Sequence, residues 1–195
     1  MKFLKFIFFS FVILLALNSN ANNCDSLIQT LIVPGPYFFS YIDETDNIRN
    51  GPDYDGATIY YPVNSNEQLT SIVLVPGFMN SEETIQNWGP FLASHGFVAM
   101  TIGTNSLTNT PQQRKDALLD AIITLKLEKN RFDSPLYNIL DTNSVAVGGF
   151  SMGGGGAQLA AVSDSTLKAV ISLYPFLEGV TESSLNHSSP ILIKA

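Results

Sequence analysis

Gly149-Phe150-Ser151-Met152-Gly153 decides the reading of this chain. It is a G-x-S-x-G pattern. A strand-like run, Val145-Ala146-Val147-Gly148, precedes it, and a small-residue stretch from Gly154 to Ala161 follows it. Strand, tight turn bearing a serine, then helix lifts a hydroxyl out of the carboxyl end of a sheet. Glycines at 149 and 153 are expected there, because a Cβ would meet the adjoining strand or helix. Gly153 to Gly156 each cost a helix about 1 kcal/mol relative to alanine. A purely structural helix gains nothing from such a run. Close packing against a strand, or close approach of backbone to a ligand, requires it.

Outward from this turn the chain alternates strands and helices. Leu69 to Val75 reads as a buried, β-branched strand ended by Pro76-Gly77. A helix is expected from Asn80 or Ser81, with Glu82 and Glu83 in its first turn, Ile85, Trp88 and Leu92 on one face, and a kink at Gly89-Pro90. Phe97 to Ile102 is the next strand. Thr110-Pro111-Gln112-Gln113 is a capping box opening a helix with Leu118, Ala121, Ile122 and Leu125 as its apolar stripe. Strands follow at Val145 to Gly149 and Leu167 to Leu173, and Ile191 to Ala195 opens another. Nearer the start, segment 37–48 and Ala57 to Tyr61 suggest an antiparallel edge hairpin, the second strand stopped by Pro62. The pattern predicts an α/β-hydrolase fold: a mostly parallel sheet with helices on both faces, expected to be incomplete at its C-terminal end. Sites in such sheets lie beyond the carboxyl ends of the strands, which singles out loops 76–80, 150–153 and 174–189.

Residues 1–21 read as a secretory signal, with Lys2 and Lys5 ahead of the apolar run Phe6 to Leu17 and a small-residue cleavage site at Ser19-Asn20-Ala21. The run is too short for a comfortable membrane span, so no stable membrane insertion is expected once the signal is removed. Residues 22–195 are then expected to be the N-terminal portion of one α/β-hydrolase domain, secreted or periplasmic. Removing the signal leaves 8 basic and 17 acidic residues, a net charge of −9, which argues against nucleic acid as a partner. Cys24, the one cysteine, has no internal disulfide partner. Two histidines and one cysteine do not make a zinc site, and neither a metal nor an organic cofactor is expected.

Acyl transfer needs a nucleophile, a base, a group that orients the base, and donors for the oxyanion. Ser151 fits the first role. In this fold one oxyanion donor is the amide after the nucleophile, here Met152, and the other comes from the loop after an earlier strand, here Phe78. The acid and the histidine should follow the serine in chain order. The chain stops at Ala195, inside the strand after which the acid is expected. His95 precedes the nucleophile at a helix end, and His187 precedes the last strand, so neither fits the base. Asp141 reads as a turn residue, and Asp164 and Glu178 carry no stronger case. The 195-residue chain alone is therefore expected to be nearly inactive.

Pro34-Gly35-Pro36-Tyr37, Gly56 to Pro62, Val75 to Phe78, Trp88 to Val98 and Gly149 to Gly156 occur in one order and rough spacing. In this the chain resembles the secreted bacterial cutinase-like polyester hydrolases, which include poly(ethylene terephthalate) hydrolases. The resemblance covers nearly all of the chain after the signal. It implies a carboxylic ester hydrolase acting through an acyl-enzyme on Ser151. Phe78 would stack on the acyl part of the substrate, Phe176 would line the other wall of the cleft, and Met152 would lie between them. Two aromatic walls suit an apolar or aromatic ester. The chain departs from the family at Phe150 (usually histidine or tryptophan), Phe78 (tyrosine), Gly103 (aspartate) and Phe176 (tryptophan). A small-ester or lipid esterase of the same fold, and a non-catalytic fragment that only binds apolar ligands, are the alternatives. Oligomeric state is not legible.

Overall fold

Period-2 alternation of apolar side chains becomes two cores on opposite faces of one sheet. The computed structural model describes residues 33–44, 47–63, 65, 67–177 and 179–194. The expected signal, its cleavage site, Cys24 and Glu178 lie outside the described residues. The elements are β1 (Phe39–Ile42), β2 (Ala57–Pro62), β3 (Leu69–Val75), α1 (Trp88–Ser94), β4 (Val98–Ile102), α2 (Pro111–Glu128), β5 (Leu140–Phe150), α3 (Met152–Ser163), β6 (Ala169–Leu173) and β7 (Ile191–Lys194). The sheet order is β1-β2-β4-β3-β5-β6-β7. β1 and β2 form the antiparallel edge, and β4, β3, β5, β6 and β7 run parallel.

Val73, Val75, Met100, Ile102, Val145 and Val147 point to the face covered by α2 and α3, where Leu118, Ala121, Ile122, Leu125, Ala157 and Ala160 complete the larger core. Ile72, Leu74 and Ala99 point the other way and pack with Tyr60, Ile85 and Ala93. Burying side chains such as Leu118 and Leu125 stabilises the fold by about 1.5–3 kcal/mol each. α2 starts where expected. The Thr110 hydroxyl accepts from the Gln113 amide at 3.3 Å, and the Gln113 side chain accepts from the Thr110 amide at 2.9 Å.

The segment after β3 differs from expectation. No helix starts at Asn80 or Ser81. A 3-10 turn covers Glu82–Thr84, and α1 begins only at Trp88. Two physical reasons account for this. The Glu82 carboxylate turns into the sheet and accepts from the Thr58 amide (3.0 Å) and the Thr101 hydroxyl (2.6 Å), which pins the turn to β2 and β4. Pro90 cannot donate within a helix but is tolerated in a first turn, so Gly89-Pro90 opens α1 rather than kinking it. Ile85 and Leu92 pack into the same cluster as expected, but Trp88 is 38% exposed and does not join them. Strand ends also shift. β1 is shorter than 37–48, β4 and β6 start one and two residues late, and β5 extends back to Leu140 beside β3.

Thr110→Ala should lower stability by about 1 kcal/mol, read as a reduced urea midpoint with an unchanged m-value.

Candidate active site

Ser151 sits on a bend that its sequence neighbours alone do not explain. Its φ of 54° and ψ of −118° are unfavourable for any residue with a Cβ. Three hydrogen bonds hold it there. Its amide donates to Leu173 O at 2.8 Å, and its carbonyl accepts from the amides of Gly155 (3.1 Å) and Phe176 (2.9 Å). The bend also requires small neighbours. A Cβ on Gly149 would collide with the Gly153 backbone, and one on Gly153 would collide with the Val75 and Pro76 carbonyls. A Cβ on Gly77 would lie 3.1 Å from Ser151 Cβ and 3.0 Å from Phe150 Cδ1. The loop after β3 therefore lies directly against the serine side chain.

Met152 is the first residue of α3, so its amide has no intrahelical acceptor. Around Phe78 the loop is tied down on both sides. The Met79 amide donates to Leu107 O at 2.8 Å, and the Asn80 amide donates to Gly77 O at 3.3 Å. The Phe78 amide takes no part in these bonds. Met79 has φ 56° and Tyr174 has φ 45°, so three of the five described non-glycine residues with positive φ surround this edge of the sheet. Strain of this kind costs of order 1–3 kcal/mol per residue and persists only where surrounding structure over-determines it. Beneath the loop lies Arg114, fully buried. Its guanidinium donates to Pro76 O (2.9 Å), Leu107 O (3.0 Å) and Asn109 O (3.1 Å). Burial pushes its pKa down to about 10, which leaves it charged near neutral pH.

The model of the PET hydrolase-like family matches residues 32–195. The chain belongs to that family. Among similar proteins, Lipase 1 of Moraxella sp. (strain TA144) is 38% identical over 133 residues, 66% of this chain and 39% of the relative. Cutinase 1 of Thermobifida cellulosilytica is 34% identical over 155 residues, 80% of this chain and 56% of the relative. A bis(hydroxyethyl) terephthalate hydrolase of Streptomyces coelicolor is 36% identical over 143 residues, 73% of this chain and 44% of the relative. The chain thus spans about half the length of these relatives.

In this member of the PET hydrolase-like family the serine has an aromatic rim. Phe78 is 47% exposed and Phe176 is 38% exposed, so neither is core packing. Phe150 and Tyr174, both exposed, meet edge-on with ring centroids 6.2 Å apart. Tyr174 and Leu107 were not foreseen at this edge. The signal for Tyr174 was its place in loop 174–189 beside Pro175. Arg114 was also missed, although it stands four residues before Leu118, on the stripe that α2 buries. A charged residue at an apolar-stripe position was the available clue. Gly103, a departure from the family pattern, lets the chain close on loop 55–56, where a Cβ would collide with Asp55 O.

Both histidines stand at the other edge of the sheet. His95 ends α1 just before β4 and meets the Phe91 ring at a tilt of 58° with centroids 4.7 Å apart, while His187 precedes β7. Asp141 accepts from the Asn143 amide at 3.0 Å at the amino end of β5, and Asp164 accepts from Thr166 after α3. Neither acid is near Ser151 in the topology. A groove of about 300 Å³ lined by Ile72, Leu92, Phe97, Ala146 and Ile171 contains none of the site residues. Among the described residues no cluster of His, Cys, Asp or Glu is placed to hold a metal ion.

Because the bend at 151 disfavours a Cβ, Ser151→Gly should be more stable than Ser151→Ala by about 1 kcal/mol in thermal or urea unfolding. Greater stability of Ser151→Ala than of Ser151→Gly would show that the bend carries no strain.

Proposed function

We propose that Ser151 is the nucleophile of a carboxylic ester hydrolase of the cutinase and polyesterase type. The observation that carries this reading is the strained Ser151 held between the Gly77 loop and the start of α3. Ser151 Oγ attacks the ester carbonyl carbon, its proton passes to a base, and the alcohol leaves from the tetrahedral intermediate. Water then attacks the acyl-enzyme and releases the acid. The Phe78 and Met152 amides carry the oxyanion, a role for which each donor typically contributes about 100- to 1,000-fold in rate. Phe78 and Phe176 form the walls for an apolar or aromatic acyl group, with Met152 between them. The leader-like residues 1–21 make the protein secreted or periplasmic, and among the described residues no helix is long and apolar enough to cross a membrane.

Neither of this chain's two histidines is the base, because both lie at the amino-terminal edge of the parallel strands. Without a base, turnover falls by on the order of a million-fold, so the 195-residue chain alone is nearly inactive. In the protein that carries this chain with a complete triad, Ser151→Ala should lower kcat on p-nitrophenyl butyrate by on the order of a million-fold, while His95→Ala and His187→Ala stay within about two-fold. Activity that survives Ser151→Ala overturns the nucleophile. A fast, Ser151-dependent rate from the 195 residues alone overturns the missing base.

The 38% identity to a protein named a lipase supports a second reading, a small-ester or lipid esterase on the same site. Release of terephthalate from bis(hydroxyethyl) terephthalate, lost on Phe176→Ala while p-nitrophenyl acetate hydrolysis persists, supports the polyesterase reading. Hydrolysis of soluble aliphatic esters alone supports the esterase reading.

A further inference from the structure

Arg114 is the largest side chain buried completely in the described structure, and its three hydrogen bonds go to main-chain carbonyls rather than to a carboxylate. A buried charge costs stability unless it is hydrogen-bonded, and an ion pair would be the usual compensation. Here the acceptors belong to two loops that meet only at the site. Pro76 belongs to the loop that carries Phe78, while Leu107 and Asn109 belong to the loop before α2. The planar fork spans both, which an ammonium cannot do.

The same carbonyls are shared with other contacts around the serine. Leu107 O accepts from the Met79 amide as well as from Arg114. Pro76 O, with Val75 O, excludes a Cβ from Gly153. On the opposite side, a Cβ on Gly156 would lie 2.9 Å from Arg114 Cβ, so the elbow helix presses on the arginine stem. One side chain thus touches α3, the loop after β3 and the loop before α2. Fixing the Pro76 carbonyl and, through Leu107, the Met79 amide restricts the peptide between them, whose Gly77 carbonyl also accepts from the Asn80 amide at 3.3 Å. That peptide segment holds the Phe78 amide.

We propose that Arg114 is a positioning residue for the reaction, which sets the Phe78 amide against Ser151 by clamping the carbonyls on both sides of it. The proposal rests on the reading of that amide as an oxyanion donor. It assigns to the arginine no contact with substrate.

Native-state amide hydrogen exchange on the 195-residue chain tests the clamp, comparing wild type with Arg114→Met and Arg114→Lys. Arg114→Met should speed exchange of the Met79 amide by about 30-fold or more, with Val147 in β5 changing less than about three-fold, because a local opening differs from global unfolding. Lysine, which can meet the carbonyls only as a point charge, should give an intermediate rate. An increase at Met79 no larger than at Val147, or none, overturns the proposal. If Arg114→Met does not fold, Arg114→Lys carries the same comparison. The second readout is hydrolysis of p-nitrophenyl butyrate by the protein that carries this chain with a complete triad, where a misplaced donor should lower kcat by about 100-fold with KM within two-fold. A rise in KM at unchanged kcat also overturns it. If that protein shows no hydrolysis at all, the ester-hydrolase reading fails and the exchange comparison still decides the clamp.

Discussion

Everything at this site depends on how close the first turn of α3 can come to the end of β3. Gly153 lies against the carbonyls of Val75 and Pro76, and Gly77 lies against Ser151. With side chains at those positions the helix would stand off, and the amide of Met152 would no longer share a space with the loop that holds Phe78. The approach is what forces Ser151 into a backbone conformation that a residue with a Cβ resists. The cost is carried by the hydrogen bonds from Ser151 to Leu173, Gly155 and Phe176. A half-buried serine on a rigid support follows from crowding beneath it.

Strain and rigidity are gathered at one edge. Met79, Ser151 and Tyr174 have positive φ there, and each belongs to a different loop. At the opposite edge the turns are relaxed local motifs, such as the Asp141 and Asp164 side chains accepting from amides two residues on. Strained residues stay in place only when several elements hold them at once, and the carboxyl edge is where β3, β5 and β6 hand over to loops that cross-bond. Arg114 extends the same logic below the surface, since a single buried cation donates to the Pro76 and Asn109 carbonyls and shares the Leu107 carbonyl with the Met79 amide.

The exposed aromatics give this edge its chemical character. Phe78, Phe150, Tyr174 and Phe176 are exposed at this edge, and Phe150 and Tyr174 meet edge-on. With Ser151 as the proposed nucleophile, such aromatics favour a substrate bound by burial of carbon surface rather than by ion pairing. The substitutions of Phe for other aromatics at 78 and 176 keep that character while removing a polar handle.

Local pattern was enough for what depends on near neighbours. The parallel strands, the capping box at Thr110, the stripe of α2 and the serine turn were all legible, because hydrophobic periodicity and capping act over a few residues. The segment from Asn80 to Pro90 was not, because Glu82 chooses the sheet over its own helix through contacts with Thr58 and Thr101, 24 and 19 positions away. Arg114, Leu107 and Tyr174 escaped for the same reason. Arg114 reaches Asn109 and Leu107 only five and seven positions away, but Pro76 is 38 positions away, and which loops meet there is not written in any local window. By itself the sequence determined the family of folds and the residue that bears the hydroxyl. Only the tertiary structure decided which amides, carbonyls and rings stand around it, since those positions come from packing between elements far apart in the chain.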